Sequence, residues 1–371
     1  MKITGFEVRH VRPRWLFLEI HTDEDITGIG EPILEGKAKT VEAAVRQFFN
    51  YLEGKDPRRI EHHWQAMYRW SFYRGGPIMM SAISGIEQAL WDILGKYLDQ
   101  PVYQLLGGQV RDKIKVYAHA GGRTPEECAE RSSQQVKDGF RALKIALFGA
   151  TRTVDTPRVI KDAVNKVKAV REAVGDNIDV GIDCHGRLSP SMAILMAKSL
   201  EPYSPMFLEE PCLPENVDAM VTIARSTPIP IATGERLYTR WGFREVLEKQ
   251  AAAILQPDLC HAGGIWECRK IAAMAEVYYA AVAPHNPLGP IALAACLQLD
   301  ACTPNFLIQE QATLGEGYLK EPFRVVDGFV EVPKGPGLGI ELDEESIEEK
   351  TFSGDWENPQ LSHEDGSVAD W

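Results

Sequence analysis

The chain has 371 residues, of which 44% are hydrophobic and 25% charged, and its formal net charge is −13 at pH 7. This composition is ordinary for a folded, water-soluble protein of about two domains, and it excludes collagen-like or long disordered chains. The negative charge argues against nucleic acid or an anionic membrane as partners. We see no signal-peptide pattern and no apolar run that approaches about 18 residues, so we expect a cytoplasmic protein. The seven cysteines are scattered without a Cys-x-x-Cys pair, which favours reduced core residues over disulfides or a thiolate zinc site.

Residues 1–113 predict an α+β domain. Two segments, "KITGFEVRHV" and "WLFLEIHTDEDITGIGE", have the pattern of strands, and an acidic turn lies within the second. They are followed by "TVEAAVRQFFNYLEGK" and "MMSAISGIEQALWDILGKYLDQPVYQLLGG", in which apolar residues recur every three or four positions. That spacing is typical of helices with one buried face.

A different pattern begins at residue 114, where short apolar runs that end in a polar residue alternate with amphipathic helical stretches. The runs are "IKVYAHA", "ALKIALF", "DVGIDCH", "PMFLEEP", "IPIATGE", "AAILQPD", "AAVAPH" and "NFLIQE". The predicted helices are "PRVIKDAVNKVKAVREAV", "SMAILMAKSLE", "NVDAMVTIARS", "RWGFREVLEKQ" and "GIWECRKIAAMAEVYYA". Buried strands that alternate with helices are typical of a parallel sheet, and about eight such units predict a (β/α)8 barrel.

Acidic residues end several of these runs, and in a (β/α)8 barrel the strand ends line one shared mouth. Asp183, Glu209 and Glu235 end three successive runs at equal intervals of 26 residues. Three carboxylates at one point repel one another unless a cation lies among them, and ligands that are all oxygen favour Mg²⁺ over Zn²⁺. Alternation sends the next residue, Glu210, to the opposite face, so we interpret it as a structural acid packed toward the helices.

Two histidines accompany these acids. His185 follows Asp183 by two positions, which returns it to the same face of a regular strand. His285 ends the seventh run, one unit after Asp258, and a carboxylate beside an imidazole orients it as a general base. We interpret the other seven histidines as structural, although His119 ends the first run and is within reach of the mouth.

Several segments together resemble one family. They include "ISGIEQALWDILGK", "QPDLCHAGGI" and "VAPHNPLGPIALAA", and the likeness extends from "PRWLFLEI" to "HEDGSVADW". With the three acids on successive strands, these segments are similar to the enolase superfamily, mandelate racemase subgroup, and within it to the galactonate dehydratases. The resemblance implies a modified TIM-type barrel over residues 114–320, with an α+β capping domain over residues 1–113 that the C-terminal segment 321–371 completes.

The resemblance also implies a reaction, the dehydration of an aldonate, with D-galactonate as the expected substrate and a 2-keto-3-deoxy acid as product. The three acids would bind one Mg²⁺ ion. His285, supported by Asp258, would remove the C2 proton, and His185 would protonate the departing 3-hydroxyl group. Glu310 would hydrogen-bond the enolate oxygen, and for this we expect it to be protonated.

Some positions depart from the pattern of the subgroup. Many relatives have Lys-x-Lys at the end of the second barrel strand, where this chain has Lys144 followed by Ala146. Racemases and cycloisomerases that need the second lysine are therefore disfavoured, whereas Lys144 is a candidate to bind the substrate carboxylate or a structural lysine. Residues 148–157 and 311–329 also differ from the expected pattern, and this leaves the stereochemistry of the sugar open.

Arg14 and Trp15, in an N-terminal loop, are candidate specificity residues, with packing inside the capping domain as the alternative.

Three other functions stay open. The alternatives are a dehydratase of another acid sugar (gluconate, arabinonate or galactarate), a non-catalytic sugar-acid binding protein, and a metal-dependent hydrolase. The predicted ligands include no histidine, which argues against the hydrolase. Because related proteins are usually homo-oligomers, we expect a homo-oligomer here.

Overall fold

The N-terminal part of the chain forms a three-stranded antiparallel sheet against which helices pack. The computed structural model describes residues 1–354 and 356–371. The strands are β1 (Ile3–Val11), β2 (Trp15–Thr22) and β3 (Thr27–Gly30), in the order β1-β2-β3. The helices are α1 (Ala38–Leu52), α2 (Ile60–Arg69), α3 (Pro77–Leu98) and α4 (Val102–Leu105). Both helical segments that the spacing predicted therefore contain helices.

Helix α3 lies very close to strand β3. A methyl group added to Gly30 would stand 2.0 Å from the carbonyl oxygen of Gly85 on α3. Added to Gly28, it would stand 2.2 Å from the carbonyl oxygen of Ala89. Because both obstacles are backbone atoms that cannot rotate away, the contact between sheet and helix requires glycine here.

We expect Gly30→Ala to lower the free energy of unfolding by about 3 kcal/mol, because strand and helix must move apart to admit the methyl group. Gly5→Ala is the matched control. Gly5 lies on β1 of the same sheet, and a methyl group there has no atom within 4 Å. Urea unfolding of both variants measures the difference, and equal stability of the two would contradict the prediction.

An eight-stranded parallel sheet follows along the chain. Its strands are β4 (Lys113–His119), β5 (Ala142–Ala146), β6 (Asp179–Asp183), β7 (Phe207–Glu209), β8 (Ile231–Thr233), β9 (Ile254–Leu255), β10 (Ala281–Val282) and β11 (Gln309–Glu310). Their order is β10-β9-β8-β7-β6-β5-β4-β11, and a parallel bridge between Val282 and Phe306 closes the ring. The predicted barrel is confirmed.

Helices connect these strands around the outside of the barrel. They are α5 (Pro125–Lys137), α6 (Pro157–Val174), α7 (Pro190–Leu200), α8 (Val217–Ala224), α9 (Thr239–Glu248), α10 (Ile265–Val277) and α11 (Pro290–Cys302), with a short 3-10 helix at Glu201–Tyr203. The five predicted helices appear as α6 to α10. Strands β9 and β10 are shorter than predicted because Pro257 and Pro284, which have no N–H, follow them closely.

The C-terminal segment contacts both parts of the molecule. Its strand β12 (Phe329–Glu331) pairs with β4 of the barrel in antiparallel fashion. Its helix α12 (Glu344–Lys350) leads to a bridge between Thr351 and Val11 of β1. The segment therefore connects the barrel with the N-terminal sheet.

The interior holds the cysteines and most of the apolar side chains. All seven cysteines are buried and unpaired, as the composition predicted. Within residues 1–354 and 356–371, no helix combines the length and the hydropathy needed to cross a membrane.

Candidate active site

Three carboxylates meet at the C-terminal ends of adjacent barrel strands. Asp183 ends β6, Glu209 ends β7, and Glu235 lies two residues beyond β8. One oxygen of each lies within 4.8 Å of the others. Asp183 and Glu209 are paired in register across the two strands, so the equal spacing in the sequence becomes proximity in the structure.

This acidic triad, Asp183, Glu209 and Glu235, fits a divalent cation. Burial and the nearby charge of Asp183 raise the pKa of Glu209 well above its ordinary value. Among the residues described by the structure, no group hydrogen-bonds the buried Oε2 of Glu209. A cation would compensate both the repulsion and the unpaired oxygen, and a donor set made only of oxygen suits a hard ion.

Lys144, at the centre of β5, is buried and reaches the same triad. Its Nζ lies 2.9 Å from Glu209 Oε1, 3.4 Å from Asp183 Oδ2 and 2.7 Å from Glu310 Oε1. Burial lowers the pKa of Lys144, but Glu209 and Glu310 outweigh burial and hold the pKa well above its ordinary value. The lysine that we considered for substrate binding is thus charged and has three carboxylate neighbours.

Glu310, on β11, is buried beside Lys144 and His119. Its Oε1 lies 2.7 Å from Lys144 Nζ and 3.0 Å from His119 Nε2, and its Oε2 accepts a hydrogen bond from Asn286 N at 2.9 Å. Burial raises the pKa of Glu310, but Lys144 and His285 outweigh burial and place it well below the ordinary value. This direction is opposite to our expectation of a protonated Glu310, which was made without knowledge of the pairing with Lys144.

His285 and Asp258 are in contact. His285 Nδ1 donates a hydrogen bond to Asp258 Oδ2 at 2.8 Å, which leaves Nε2 facing Glu235 Oε2 at 3.3 Å. Burial lowers the pKa of His285, but Glu235 and Glu310 outweigh burial and raise the pKa well above its ordinary value. Because Glu235 belongs to the acidic triad, a cation bound there would act against this increase.

His185 reaches the triad through a tight turn and not through the alternation of a regular strand. Strand β6 ends at Asp183, and His185 has a φ of 48°, in the left-handed region. Its backbone N–H donates to Asp183 Oδ1 at 2.9 Å, and its Nε2 lies 2.9 Å from Asp183 Oδ2. Burial lowers the pKa of His185, but the charge of Asp183 outweighs burial and raises it.

Glu210 lies outside the triad although it adjoins Glu209. Its backbone is left-handed, with a φ of 38°, and its buried carboxylate accepts a hydrogen bond from Arg236 Nε at 3.2 Å. Burial and the charge of Glu235 raise the pKa of Glu210 to about 7. Its partner in the structure is therefore an arginine beyond the next strand.

Two histidines that we interpreted as structural touch the site. His119 contacts Glu310, and its place at the end of the first apolar run was a signal for this. His261 Nε2 lies 3.6 Å from Asp258 Oδ2, and its Nδ1 lies 3.0 Å from Ser81 Oγ on α3. The position of His261 depends on a turn and on a helix of another region, which no local pattern indicates.

Arg14 and Trp15 differ in their surroundings. Trp15 is only 4% exposed and belongs to the hydrophobic core. Arg14 donates from Nη2 to the carbonyl oxygen of Pro287 at 2.9 Å, and its Nη1 lies 2.8 Å from Glu35 Oε1. Arg14 thereby joins the N-terminal sheet to the loop that follows His285.

Comparison with known proteins identifies the family. Residues 8–107 match the sequence model "Mandelate racemase / muconate lactonizing enzyme, N-terminal domain", and residues 127–346 match "Enolase C-terminal domain-like". The chain belongs to the enolase superfamily, in the mandelate racemase subgroup. The resemblance carried by the motifs is confirmed.

Members of this superfamily match the chain over nearly its whole length. A D-galactonate dehydratase from Variovorax paradoxus (strain S110) is 50% identical over 383 aligned residues, covering 100% of both chains. A mandelate racemase/muconate lactonizing enzyme structure from Jannaschia sp. CCS1 is 34% identical with a TM-score of 0.90, covering 96% of this chain and 99% of that one. An enolase superfamily member from Salmonella Typhimurium is 33% identical with a TM-score of 0.88, covering 94% and 97%. The chain therefore shares the fold of these members of the superfamily.

Proposed function

We propose that the protein is a hydro-lyase that converts D-galactonate into a 2-keto-3-deoxy acid and water. The observation that carries this proposal is the arrangement of two histidines at the two ends of one acidic triad. His185 contacts Asp183, and His285 contacts Glu235. Loss of a β-hydroxyl group as water requires one group to take a proton and another to give one. The full-length relative named for this reaction supports D-galactonate as the substrate.

His285 is proposed as the base that takes the C2 proton. Asp258 accepts the hydrogen bond from Nδ1, which fixes the tautomer and leaves the lone pair of Nε2 directed into the site. Asp258 is buried and the side chain of His285 is only 12% exposed, so the hydrogen bond to Asp258 orients the ring. Asp258 supports the charge that His285 acquires with the proton.

His185 is proposed as the acid that protonates the departing 3-hydroxyl group. Its Nε2 lies 2.9 Å from Asp183 Oδ2 and donates to it, so this nitrogen carries a proton. Its side chain is 34% exposed, against 12% for His285, which lets it recover a proton from solvent after each turnover. The enol that remains would tautomerise to the 2-keto-3-deoxy acid.

Asp183, Glu209 and Glu235 are proposed to hold one Mg²⁺ ion. When bound, the ion stabilises the negative charge that develops on the substrate carboxylate as the C2 proton leaves. Glu310 is proposed to contact the enolate oxygen. The lowered pKa of Glu310 favours its carboxylate form, so the proton in that contact is proposed to come from a partner. Lys144 and His119 both lie within 3.0 Å of Glu310.

The distal hydroxyl groups of the sugar have room beside the proposed metal site. A cavity of about 530 Å³ opens next to the ends of β4 and β5 and is lined in part by His119, Arg123, Lys144 and Ala146. A larger residue in place of Ala146, which stands in register with Asp183, would fill part of this space. We propose that this cavity takes the end of the substrate remote from its carboxylate.

The proposal also includes the domain organisation, the location in the cell and the oligomeric state. We propose residues 1–113 with 321–371 as a capping domain and residues 114–320 as the barrel domain. We also propose a cytoplasmic homo-oligomer. The exposure of Trp70, Phe72 and Tyr73 in the segment between α2 and α3 supports contact with a further chain.

The test is a screen of the purified protein with Mg²⁺ against aldonic and aldaric acids, with detection of 2-keto-3-deoxy product and EDTA controls. We expect one strong, metal-dependent activity on D-galactonate. Activity on a different acid sugar would contradict the substrate and leave the reaction in place. No product from any acid would contradict the enzymatic proposal and favour a binding protein.

A further inference from the structure

The loop that carries His285 is held from two sides. This base loop, residues 285–289, leads from β10 to α11. On the barrel side, His285 Nδ1 donates to Asp258 Oδ2 at 2.8 Å and Asn286 N donates to Glu310 Oε2 at 2.9 Å. On its other side the loop is hydrogen-bonded to Arg14 and Glu31 of the N-terminal part of the chain.

Glu31 is the main partner on that second side. It follows β3, is fully buried, and accepts hydrogen bonds from Gly289 N at 2.8 Å and from Ala292 N at 2.9 Å. A methyl group added to Gly289 would stand 2.5 Å from Glu31 Oε1. The carboxylate therefore fills the space that glycine leaves and fixes the junction between the base loop and α11.

Arg14 is the second partner. Its Nη2 donates to the carbonyl oxygen of Pro287, in the middle of the base loop, while its Nη1 pairs with Glu35. The guanidinium also lies 4.9 Å from the ring of Trp356 in the C-terminal segment. Both terminal nitrogens of Arg14 are thus held by protein groups. Neither substrate nor metal is needed to keep Arg14 in contact with the base loop.

We infer that Glu31 and Arg14 are positioning residues for the general base, so that the N-terminal domain sets the reactivity of His285 by fixing the base loop. The inference rests on the proposed function in giving His285 that role. Groups that hold a reacting atom act through geometry, and a displacement of about 1 Å costs on the order of a hundredfold in rate. Neither residue touches the reacting atoms.

Glu87 provides a matched control. It lies on α3, is fully buried, and accepts hydrogen bonds from Ile265 N at 2.7 Å and Trp266 N at 2.8 Å at the start of α10. A methyl group on Gly264 would stand 2.1 Å from Glu87 Oε2. Glu31 and Glu87 therefore perform the same structural task on neighbouring barrel helices, but only the contacts of Glu31 adjoin the base loop.

Asp258 precedes α10, the helix whose first N–H groups bond to Glu87. The turn at Asp258 is nevertheless held by hydrogen bonds of its own. Its Oδ1 accepts from Cys260 N at 2.7 Å, and its carbonyl oxygen accepts from Ala262 N at 2.7 Å. Loss of the Glu87 contacts consequently leaves the partner of His285 in place.

The experiment compares Glu31→Gln with Glu87→Gln in the full chain. We expect a similar fall in Tm for both, with exchange of the C2 proton and kcat reduced ten- to a hundredfold only in Glu31→Gln, and with KM changed less than about threefold. Equal losses of activity in both variants, or unchanged exchange in Glu31→Gln, would overturn the inference. Arg14→Gln is the second variant, for which we expect kcat to fall, and a rise in KM alone would overturn the positioning role of Arg14.

Amide hydrogen exchange separates this inference from the proposed function. We expect Glu31→Gln to expose residues 286–293 to exchange and Glu87→Gln to expose residues 265–268. This readout needs no substrate, so it remains decisive if the wild-type protein does not act on D-galactonate. Unchanged protection of residues 286–293 in Glu31→Gln would overturn the inference by itself.

Discussion

Replacement of His285 by asparagine is expected to abolish both dehydration of D-galactonate and exchange of its C2 proton with solvent. The substitution removes the nitrogen that takes the proton, while the side chain amide remains short enough to fit the buried site. General bases contribute on the order of a hundred- to ten-thousandfold to a rate, so we expect a loss of at least about a thousandfold in both processes. Proton NMR in D₂O measures exchange and product formation in the same sample.

His185→Asn is the contrasting variant. His185 contacts Asp183 at the other end of the triad, and its proposed task begins only after the C2 proton has left. We expect this variant to lose dehydration to a similar extent and to keep measurable C2 exchange. If the two variants lost exchange equally, the assignment of base and acid to these histidines would be wrong.

Glu209→Gln is expected to lower the rate of dehydration by at least about a thousandfold and to remove the stabilisation that Mg²⁺ gives the folded protein. Glu209 lies on the middle strand of the three that carry the triad, is fully buried, is in register with Asp183, and lies 2.9 Å from Lys144 Nζ. The amide keeps the shape of the side chain but lacks the negative charge that a divalent cation needs. Thermal unfolding with and without Mg²⁺ measures binding without reference to activity, since a ligand of the folded state raises Tm.

The neighbouring acid gives the control for this prediction. Glu210 is equally buried but lies outside the triad and pairs with Arg236. We expect Glu210→Gln to keep the increase of Tm on addition of Mg²⁺ and to keep metal-dependent turnover. A loss of both in Glu210→Gln, or their survival in Glu209→Gln, would mean that the wrong carboxylates have been assigned to the cation.

The barrel could be predicted from the sequence because its strands are apolar runs with polar ends and most of its helices have one buried face. Helices α5 and α11, which were not predicted, lack this contrast between a buried face and an exposed face. In α11 all thirteen residues are buried, so no face is distinguished by polarity. In α5 the reverse holds, since only Cys128 and Ser132 are buried among polar neighbours.

The part of the site that could be predicted is the part whose residues are brought together by the order of the strands. Regular spacing on adjacent strands brought Asp183, Glu209 and Glu235 together, and the family resemblance pointed to the same residues. The ion pair between Lys144 and Glu310 joins β5 and β11, which have only β4 between them because the barrel closes. No local pattern contains that closure, and the lowered pKa of Glu310 therefore could not be predicted.

The bridge between Val11 and Thr351 joins two residues that are synthesised far apart in time. At about 5–20 residues per second, roughly 20 to 70 s separate the synthesis of these two residues on the ribosome. Until residues 329–351 have been made, strand β1 lacks its C-terminal neighbour, and β4 of the barrel lacks its partner β12. Residues 329–351 therefore cover the edges of β1 and β4, and a chain that lacks these residues exposes both edges to other proteins.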